Sequence, residues 1–491
     1  MSPVTEIYSV ATVRAIDNCA INVAGIAGYE LMTRAANASL AQARVAFPDA
    51  NHWQIACGAG NNAGDGYVLA RLASRQGIPV SVVAVASPDT LTGDAATAYA
   101  DFQAEGGQYS QWDGSFAEDA DLLVDGLLGT GLCRPLDGLF ADAVAAANAH
   151  SAPVLALDIP TGIHGDSGEV LGTAICANLT VTFVGLKAGL FLRDGLLHAG
   201  DVHLADLDIP EDCRVSMPVE LRRIGSELLR SKLPPRKKDA HKGDFGHVVA
   251  VGGGPGMPGA ISLCGQAALR AGAGRVTIAT HPEHHAEIAA SRPELMCRGV
   301  TTADELIGLL DQATTLVVGP GLGQSEWSET LFSAVMNSNL PVVVDADALN
   351  LLGKSAFRRP DWVLTPHPGE AARLLGSSAA TVQENRRQSL KQLQDEYGGT
   401  IVLKGAGSLI SSAIQTPWLS TSGNPGMSSP GMGDVLAGII GAFLAQGLDA
   451  ELAAAIGVEI HARAGDRAAT HGERGLIAGD LLDEVRILVN P

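Results

Sequence analysis

Three glycine-rich clusters carrying carboxylates in the first part of the chain have the residue types of a small-molecule site. Gly58-Ala-Gly60-Asn61-Asn62-Ala63-Gly64-Asp65-Gly66 follows the apolar run His52–Cys57 and leads into an Ala- and Leu-rich stretch. Glycines there let a ligand approach the backbone, and N–H groups opening a helix favour a phosphate. Gly58, Gly60 and Gly64 approximate a dinucleotide fingerprint, a weak signal alone. Asn61, Asn62 and Asp65 add side-chain oxygens to it. The second cluster runs Asp125-Gly-Leu-Leu-Gly129-Thr130-Gly131-Leu132-Cys133-Arg134-Pro135, and the third is Asp158-Ile-Pro160-Thr161-Gly162. One strand-end aspartate commonly caps a turn or helix; three in one half argue for chemistry. Asn62, Asp125 and Thr161 offer the amide, carboxylate and hydroxyl oxygens that a hard cation takes. Asp158 is then free as an acid/base group. Lys187, the only lysine in residues 1–213, either reaches this site or is structural.

The second part carries a different chemistry. The run Thr421–Gly438, TSGNPGMSSPGMGDVLAG, is a long glycine approach to a helix with Gly433 and Asp434 in its first turn. Helix N-terminal N–H groups stabilise negative charge on a phosphoryl group in transfer. Asp434 is placed to take a proton from a substrate hydroxyl; the alternative is an aspartate that only complements the helix dipole. Lys404-Gly405-Ala406-Gly407-Ser408 after TIVL suits a nucleotide phosphate or ribose, and no GxxxxGK[ST] occurs. HVVAVGGGPGMPGA, ending at Ala260, and Val317–Gly323 are two more strand-to-glycine turns. Asp345 and Asp347 close an apolar run, and His367 lies between two prolines before Glu370.

These loops need a scaffold, and the apolar pattern supplies one. Strands are expected at His52–Cys57, Val80–Val85, Asp121–Asp125, Val154–Asp158 and Leu179–Phe183. Helices are expected between them, as at Gly66–Gln76 and Leu139–His150. A second alternation has strands at His247–Val251, Arg275–Thr280, Thr315–Val318, Val342–Asp345, Trp362–Leu364, Ile401–Lys404 and Leu409–Ser411. Alternating strands and helices imply parallel sheets covered on both faces, with ligands beyond the strands' carboxyl ends. The fold class expected is therefore α/β with two doubly wound domains, residues 1–213 and 236–491. A connector at 214–235 leads into the basic run Leu233–Lys238. No internal repeat relates the halves.

With 491 residues, 46% hydrophobic and 18% charged, the chain has material for large cores. Its net charge of −20 argues against nucleic acid, whose phosphates are held by Lys and Arg clusters. Residues 1–213 hold 8 basic and 25 acidic residues and 214–491 hold 25 and 28, an asymmetry that suggests two units. Seven scattered cysteines without a CxxC pair are expected to be reduced thiols in a cytoplasmic protein, with no zinc site and no disulfide. No leader or membrane span is expected.

GAGNNAGDG, DGLLGTGL and LDIPTGI resemble the motifs of NAD(P)H-hydrate epimerase domains, over about residues 5–211. The resemblance implies a Rossmann-like three-layer sandwich. It implies K+ near Asn62, Asp125 and Thr161. It puts the hydrated nucleotide against Asn61, Asn62, Ala63, Gly64, Asp65, Gly129, Thr130, Gly131, Leu132, Cys133, Arg134, Pro135 and Asp158. The second half is similar to ADP-dependent NAD(P)H-hydrate dehydratases of the ribokinase-like superfamily, over about residues 236–489. That resemblance implies Ala260, Gly323, His367 and Asp434 at the hydrated nucleotide, and Lys404, Gly405, Ala406, Gly407, Ser408 and Gly433 at ADP, with Mg2+. Pro430 contributes no N–H before the Gly-x-Gly-Asp turn. Asp158 and Asp434 are the catalytic candidates. The expected partners are hydrated NADH or NADPH, ADP and further copies of the chain, with no nucleic acid or membrane. The competing readings are a ribokinase-like kinase of a small alcohol, and a first half that only binds or scaffolds.

Overall fold

The computed structural model describes residues 5–355, 357–412 and 415–491. The chain divides into two compact units, Met1–Leu221 and Arg222–Pro491. In the first, seven strands form one sheet: β1 (Trp53–Cys57), β2 (Val80–Ala84), β3 (Tyr109–Gln111), β4 (Leu122–Gly126), β5 (Val154–Leu157), β6 (Leu179–Phe183) and β7 (Asp201–Ala205). Their spatial order is β3-β2-β1-β4-β5-β6-β7, and every neighbouring pair is parallel. Successive strand residues feed opposite cores. Ile55, Val82 and Val124 pack with residues of α2 (Gly28–Ala46), α3 (Asn61–Arg75) and α4 (Gly93–Ala104). Ala56, Val83 and Leu123 pack with Ala143 and Val144 of α5 (Gly138–Ala149). The result is a three-layer sandwich. The N-terminal helix α1 (Val10–Asn22) adds Val13 and Ile16 to the first core.

The second unit begins with β8 (His247–Val251), β9 (Arg275–Thr280), β10 (Met296–Gly299), β11 (Thr315–Val318), β12 (Val342–Val344), β13 (Trp362–Leu364) and β14 (Thr400–Leu403), and continues with β15 (Leu409–Ser412) and β16 (Gln415–Leu419). The order is β10-β9-β8-β11-β12-β13-β14-β15-β16. It is parallel as far as β14 and antiparallel from β14 to β16. Its first seven strands repeat the winding of the first unit, although the two sequences show no repeat. In both, the order reverses between the first and fourth strands, which is where a crevice opens at the carboxyl ends. Val248, Ala250, Val317 and Val343 join one core with α6 (Pro258–Arg270), α7 (Met432–Ala445) and α8 (Ala450–Ala468). Their strand neighbours Val249, Leu316 and Val342 are equally buried, so this sheet too is covered on both faces.

Three expectations change. The strands β3, β7, β10 and β16 are additional to those read from the sequence. The stretch 214–235 is not a bare connector: it holds the strand Leu221–Arg223, paired in parallel with β16, and the helix Ser226–Lys232. Ile224 and Leu229 there are buried in the second unit's core. And Cys19 is joined to Cys213 by a disulfide with a Cα–Cα distance of 5.6 Å. Spacing along the chain cannot reveal a pairing across 194 residues that the fold brings together. The other five cysteines are free thiols. Among the described residues no helix is long and apolar enough to cross a membrane.

Candidate active sites

In the first unit, the switch point between β1 and β4 opens into a cavity of about 880 Å³. The loops after these strands meet backbone to backbone. A Cβ on Gly58 would lie 2.1 Å from the Leu127 carbonyl oxygen, so only glycine allows the approach. Asn61, Asn62, Asp65, the whole Gly129–Pro135 loop and Asp158 line the cavity, bringing the three sequence clusters together. Ala63 and Gly64 stand behind the wall: Ala63 is buried in the core, and Gly64 packs on Met32 and Ala95. Asp125 and Thr161 are also behind it, both buried. The Thr161 N–H donates to Asp125 Oδ2 at 2.8 Å, and its Oγ1 lies 2.7 Å from Oδ1. Burial pushes the Asp125 carboxyl up to about 6 despite these bonds. Asn62 is buried with neither Oδ1 nor Nδ2 partnered, an orphaned amide.

Asp158 has φ 66°, a left-handed conformation that a non-glycine residue holds only when its surroundings impose it. Its Oδ1 accepts from the Lys187 ammonium and, at 3.1 Å, from the Phe183 N–H. Lys187 is fully buried, and its ammonium also donates to Thr182 Oγ1 at 3.0 Å and the Phe183 carbonyl at 2.7 Å. Of the two readings of Lys187, this is the one at the site. Arg14, Asp17 and Asp94 also line the cavity, from outside the sequence clusters. Polar residues of this kind are ordinary on amphipathic helices, and only the fold turns them toward strand ends. Arg14 donates to the Thr130 carbonyl at 3.1 Å, pinning the 129–135 loop.

The second unit gathers its charges around Lys404. Its ammonium donates to Asp345 Oδ1 at 2.9 Å and lies 3.7 Å from Glu370 Oε2. Thr365 Oγ1 donates to the same Asp345 oxygen at 2.7 Å. α7 starts at Met432 after Gly431 in the left-handed region, φ 88°. Asp434 in its first turn is pushed up to about 7, chiefly by burial, with Asp345 adding to the push and Lys404 opposing it. A Cβ on Gly433 would lie 3.3 Å from Lys404 Nζ and 3.5 Å from Asp345 Oδ2, so the helix start abuts this ion pair. Glu370 is held by the His367 N–H at 2.7 Å, and His367 Nδ1 accepts from the Gly369 N–H at 3.0 Å. Gly323 donates its N–H to Asp347 at 2.8 Å. A Cβ on neighbouring Gly321 would lie 3.1 Å from the Cβ of Ala260 near the start of α6, so these two turns pack together. Arg386, unremarked in the sequence, donates to the Leu403, Lys404 and Gly407 carbonyls at 3.0, 3.2 and 3.1 Å. It fixes the Lys404–Ser408 loop from below. Asp345 and Glu370 were visible as strand-end motifs; no motif marked Arg386.

The chain matches two family models. One, described as NAD(P)H-hydrate dehydratase, covers residues 248–486; the other, YjeF-related protein N-terminus, covers residues 28–189. It is 44% identical to the bifunctional NAD(P)H-hydrate repair enzyme Nnr of Coxiella burnetii, over 99% of this chain and 100% of that one. To the enzyme of the same name from Escherichia coli it is 43% identical, over 96% and 92%. Among solved structures, a ribokinase-like superfamily protein from Enterococcus faecalis is similar with TM-score 0.51 and 30% identity, over 55% of this chain and 95% of that one.

Proposed function

Because the chain belongs to the family of bifunctional NAD(P)H-hydrate repair enzymes, we propose that its two sites repair hydrated NADH and NADPH in two steps. The first unit interconverts the R and S hydrates at C6 of the nicotinamide ring. The second uses ADP to dehydrate the S epimer to NAD(P)H, releasing AMP and phosphate. In this reading residues 1–213 are the epimerase domain and 236–491 the dehydratase domain. The observation that carries it is the convergence of the Asn61–Asp65, Gly129–Pro135 and Asp158 segments on one cavity at a switch point, in a chain whose other unit carries an acid-bearing helix start.

In the epimerase, the N–H groups opening α3 and the Gly129–Pro135 loop hold the nucleotide phosphates. Asp158, ordered by Lys187, moves the proton at the C6 oxygen. Departure of water leaves a cation stabilised by the ring nitrogen, and water re-adds from the other face. Asn62, Asp125 and Thr161 are the ligands proposed for K+. The fit rests on the orphaned Asn62 amide and the oxygen-only donor set. Bound there, K+ supplies positive charge behind the phosphate-binding loops.

In the dehydratase, Ala260, Gly323 and His367 border the hydrated nucleotide, and Lys404–Ser408 with Gly433 hold ADP. Asp434 takes the proton from the C6 hydroxyl as that oxygen attacks the β-phosphorus, and the α7 N–H groups receive the developing charge. AMP leaves. The phosphate ester then breaks at C6–O, and loss of a C5 proton restores the ring double bond. Mg2+ accompanies ADP in this reading and would screen phosphate charge when bound. A small-alcohol kinase would leave the first unit, and the full-length likeness to repair enzymes, without a role.

The test separates the halves. Purified S hydrate is incubated without nucleotide and followed by chromatography for the R epimer. Equilibration by the wild type, its loss in Asp158→Asn, and unchanged ADP-dependent NADH formation from the S hydrate in that variant are expected. Epimerisation by Asp158→Asn at the wild-type rate rejects the assignment of Asp158.

A further inference from the structure

Epimerisation through loss and re-addition of water moves a proton on each face of the ring, a task that two proton carriers can divide. Asp158 is one, and its Oδ1 is already committed to Lys187 and Phe183. The same cavity is also lined by α1, which is not a strand-end element and carries none of the sequence clusters. Its Asp17 lines the cavity and is half-buried, and no hydrogen bond to its carboxyl is found among the described residues.

We infer that Asp17 is the second proton carrier of the epimerase, working the ring face opposite Asp158. This rests on the epimerase reading above. The other charged groups lining the cavity with Asp17 are Arg14 on its own helix, Asp94 from α4, Asp65 from α3, Asp137 before α5, Asp158 and Lys187 from the β5 and β6 ends, and Arg134 from the 129–135 loop. Burial raises the Asp17 carboxyl; Lys187 draws it down, and Asp158 and Asp94 push it up again. Asp65 is raised well above the ordinary range by burial, with Asp158 and Asp17 adding to it.

A carboxyl that keeps its proton is a donor. For one epimer, Asp17 gives its proton to the C6 oxygen as the C6–O bond breaks with its electron pair, and water departs. The ring nitrogen's lone pair forms the N1–C6 double bond. Water adds to C6 from the other face and gives its proton to the Asp158 carboxylate. The proton now rests on Asp158 and Asp17 is ionised, which is the form that turns over the opposite epimer. By microscopic reversibility one proton shared by the pair serves both directions.

The experiment follows epimerisation of a single hydrate, without nucleotide, from pH 5.5 to 9.5, in wild type, Asp17→Asn and Asp17→Glu. Wild-type activity is expected to fall on the alkaline side as the shared proton is lost. Asp17→Asn is expected to lose about 100-fold and its residual rate to lack that alkaline fall. Asp17→Glu restores the rate to within about tenfold, with the alkaline limb present. Three results overturn the inference: Asp17→Asn within a few-fold of wild type, a slowed variant with the wild-type pH profile, or a Glu variant as slow as the Asn one. A wild type that does not epimerise at all rejects the epimerase reading itself, a different result.

Discussion

Lys187 and Asp158 form a buried ion pair in which the lysine has no donor to spare: its ammonium is shared among the Asp158 carboxylate, Thr182 Oγ1 and the Phe183 carbonyl. Lys187 thus holds the carboxylate of Asp158, whose backbone is left-handed. Lys187→Met leaves that carboxylate partly buried without its counter-charge, a loss of about 3–5 kcal/mol when one member of a buried pair is removed. A lower unfolding temperature and loss of epimerisation are expected. They are read by thermal unfolding and by epimer chromatography, with NADH formation from the S hydrate retained if the dehydratase unit is unaffected.

The proposed role of Asp434 predicts the pH dependence of the second reaction. Its carboxyl is pushed up to about 7, and only the ionised form accepts a proton. Dehydratase kcat/KM is therefore expected to fall about tenfold per unit as pH drops below about 7. Asp434→Asn should lose about 10²–10⁴-fold and show no such limb. Rates of NADH formation from purified S hydrate with ADP check both.

Arg386 carries the shape of the Lys404–Ser408 loop, proposed above to hold ADP. Its three carbonyl partners lose their donors in Arg386→Met, costing about 1–3 kcal/mol for each buried acceptor left bare. A several-fold rise in the KM for ADP is expected, with a smaller change in kcat. Steady-state kinetics with varied ADP distinguish this from a change in chemistry.

Gly433→Ala puts a methyl group against the Lys404–Asp345 pair, at 3.3 and 3.5 Å. A displacement of a few tenths of an ångström in this pair is expected to cost about tenfold in dehydratase activity. Epimerisation in the same chain should be unchanged. Measuring both rates on one preparation gives the comparison.

The sequence carried most of the fold because apolar strands and glycine turns alternate clearly where both faces are buried, as in His247–Val251 and Trp362–Leu364. Two of the additional strands show the limit. In Tyr109–Gln111 all three residues are exposed, and Asp201–Ala205 has no fully buried residue, so neither shows a core-facing signature. The site was legible at strand ends, where Asp125, Asp158 and Asp345 follow apolar runs. Asp17, Asp94 and Arg386 were not, because each sits in a helix whose sequence is explained by amphipathicity alone. The Cys19–Cys213 pairing is of the same kind: only the closed chain brings the two residues together.

Removal of K+ tests the cation ligands apart from catalysis. Thermal unfolding of the wild type is expected to rise with K+ concentration in a buffer otherwise free of alkali metal, through mass action on the folded state. Asn62→Ala should abolish that rise. A K+ effect of equal size in the variant rejects the assignment of Asn62.

The most direct measurement is absorbance at 340 nm during incubation of an equilibrium mixture of R and S hydrates of NADH with the wild-type chain, ADP, Mg2+ and K+. Complete recovery of NADH, faster than the hydrates epimerise unaided, is the result expected of two sites acting in sequence. Recovery that stops at the S epimer's share contradicts the first unit's role, and no recovery at all contradicts the account as a whole.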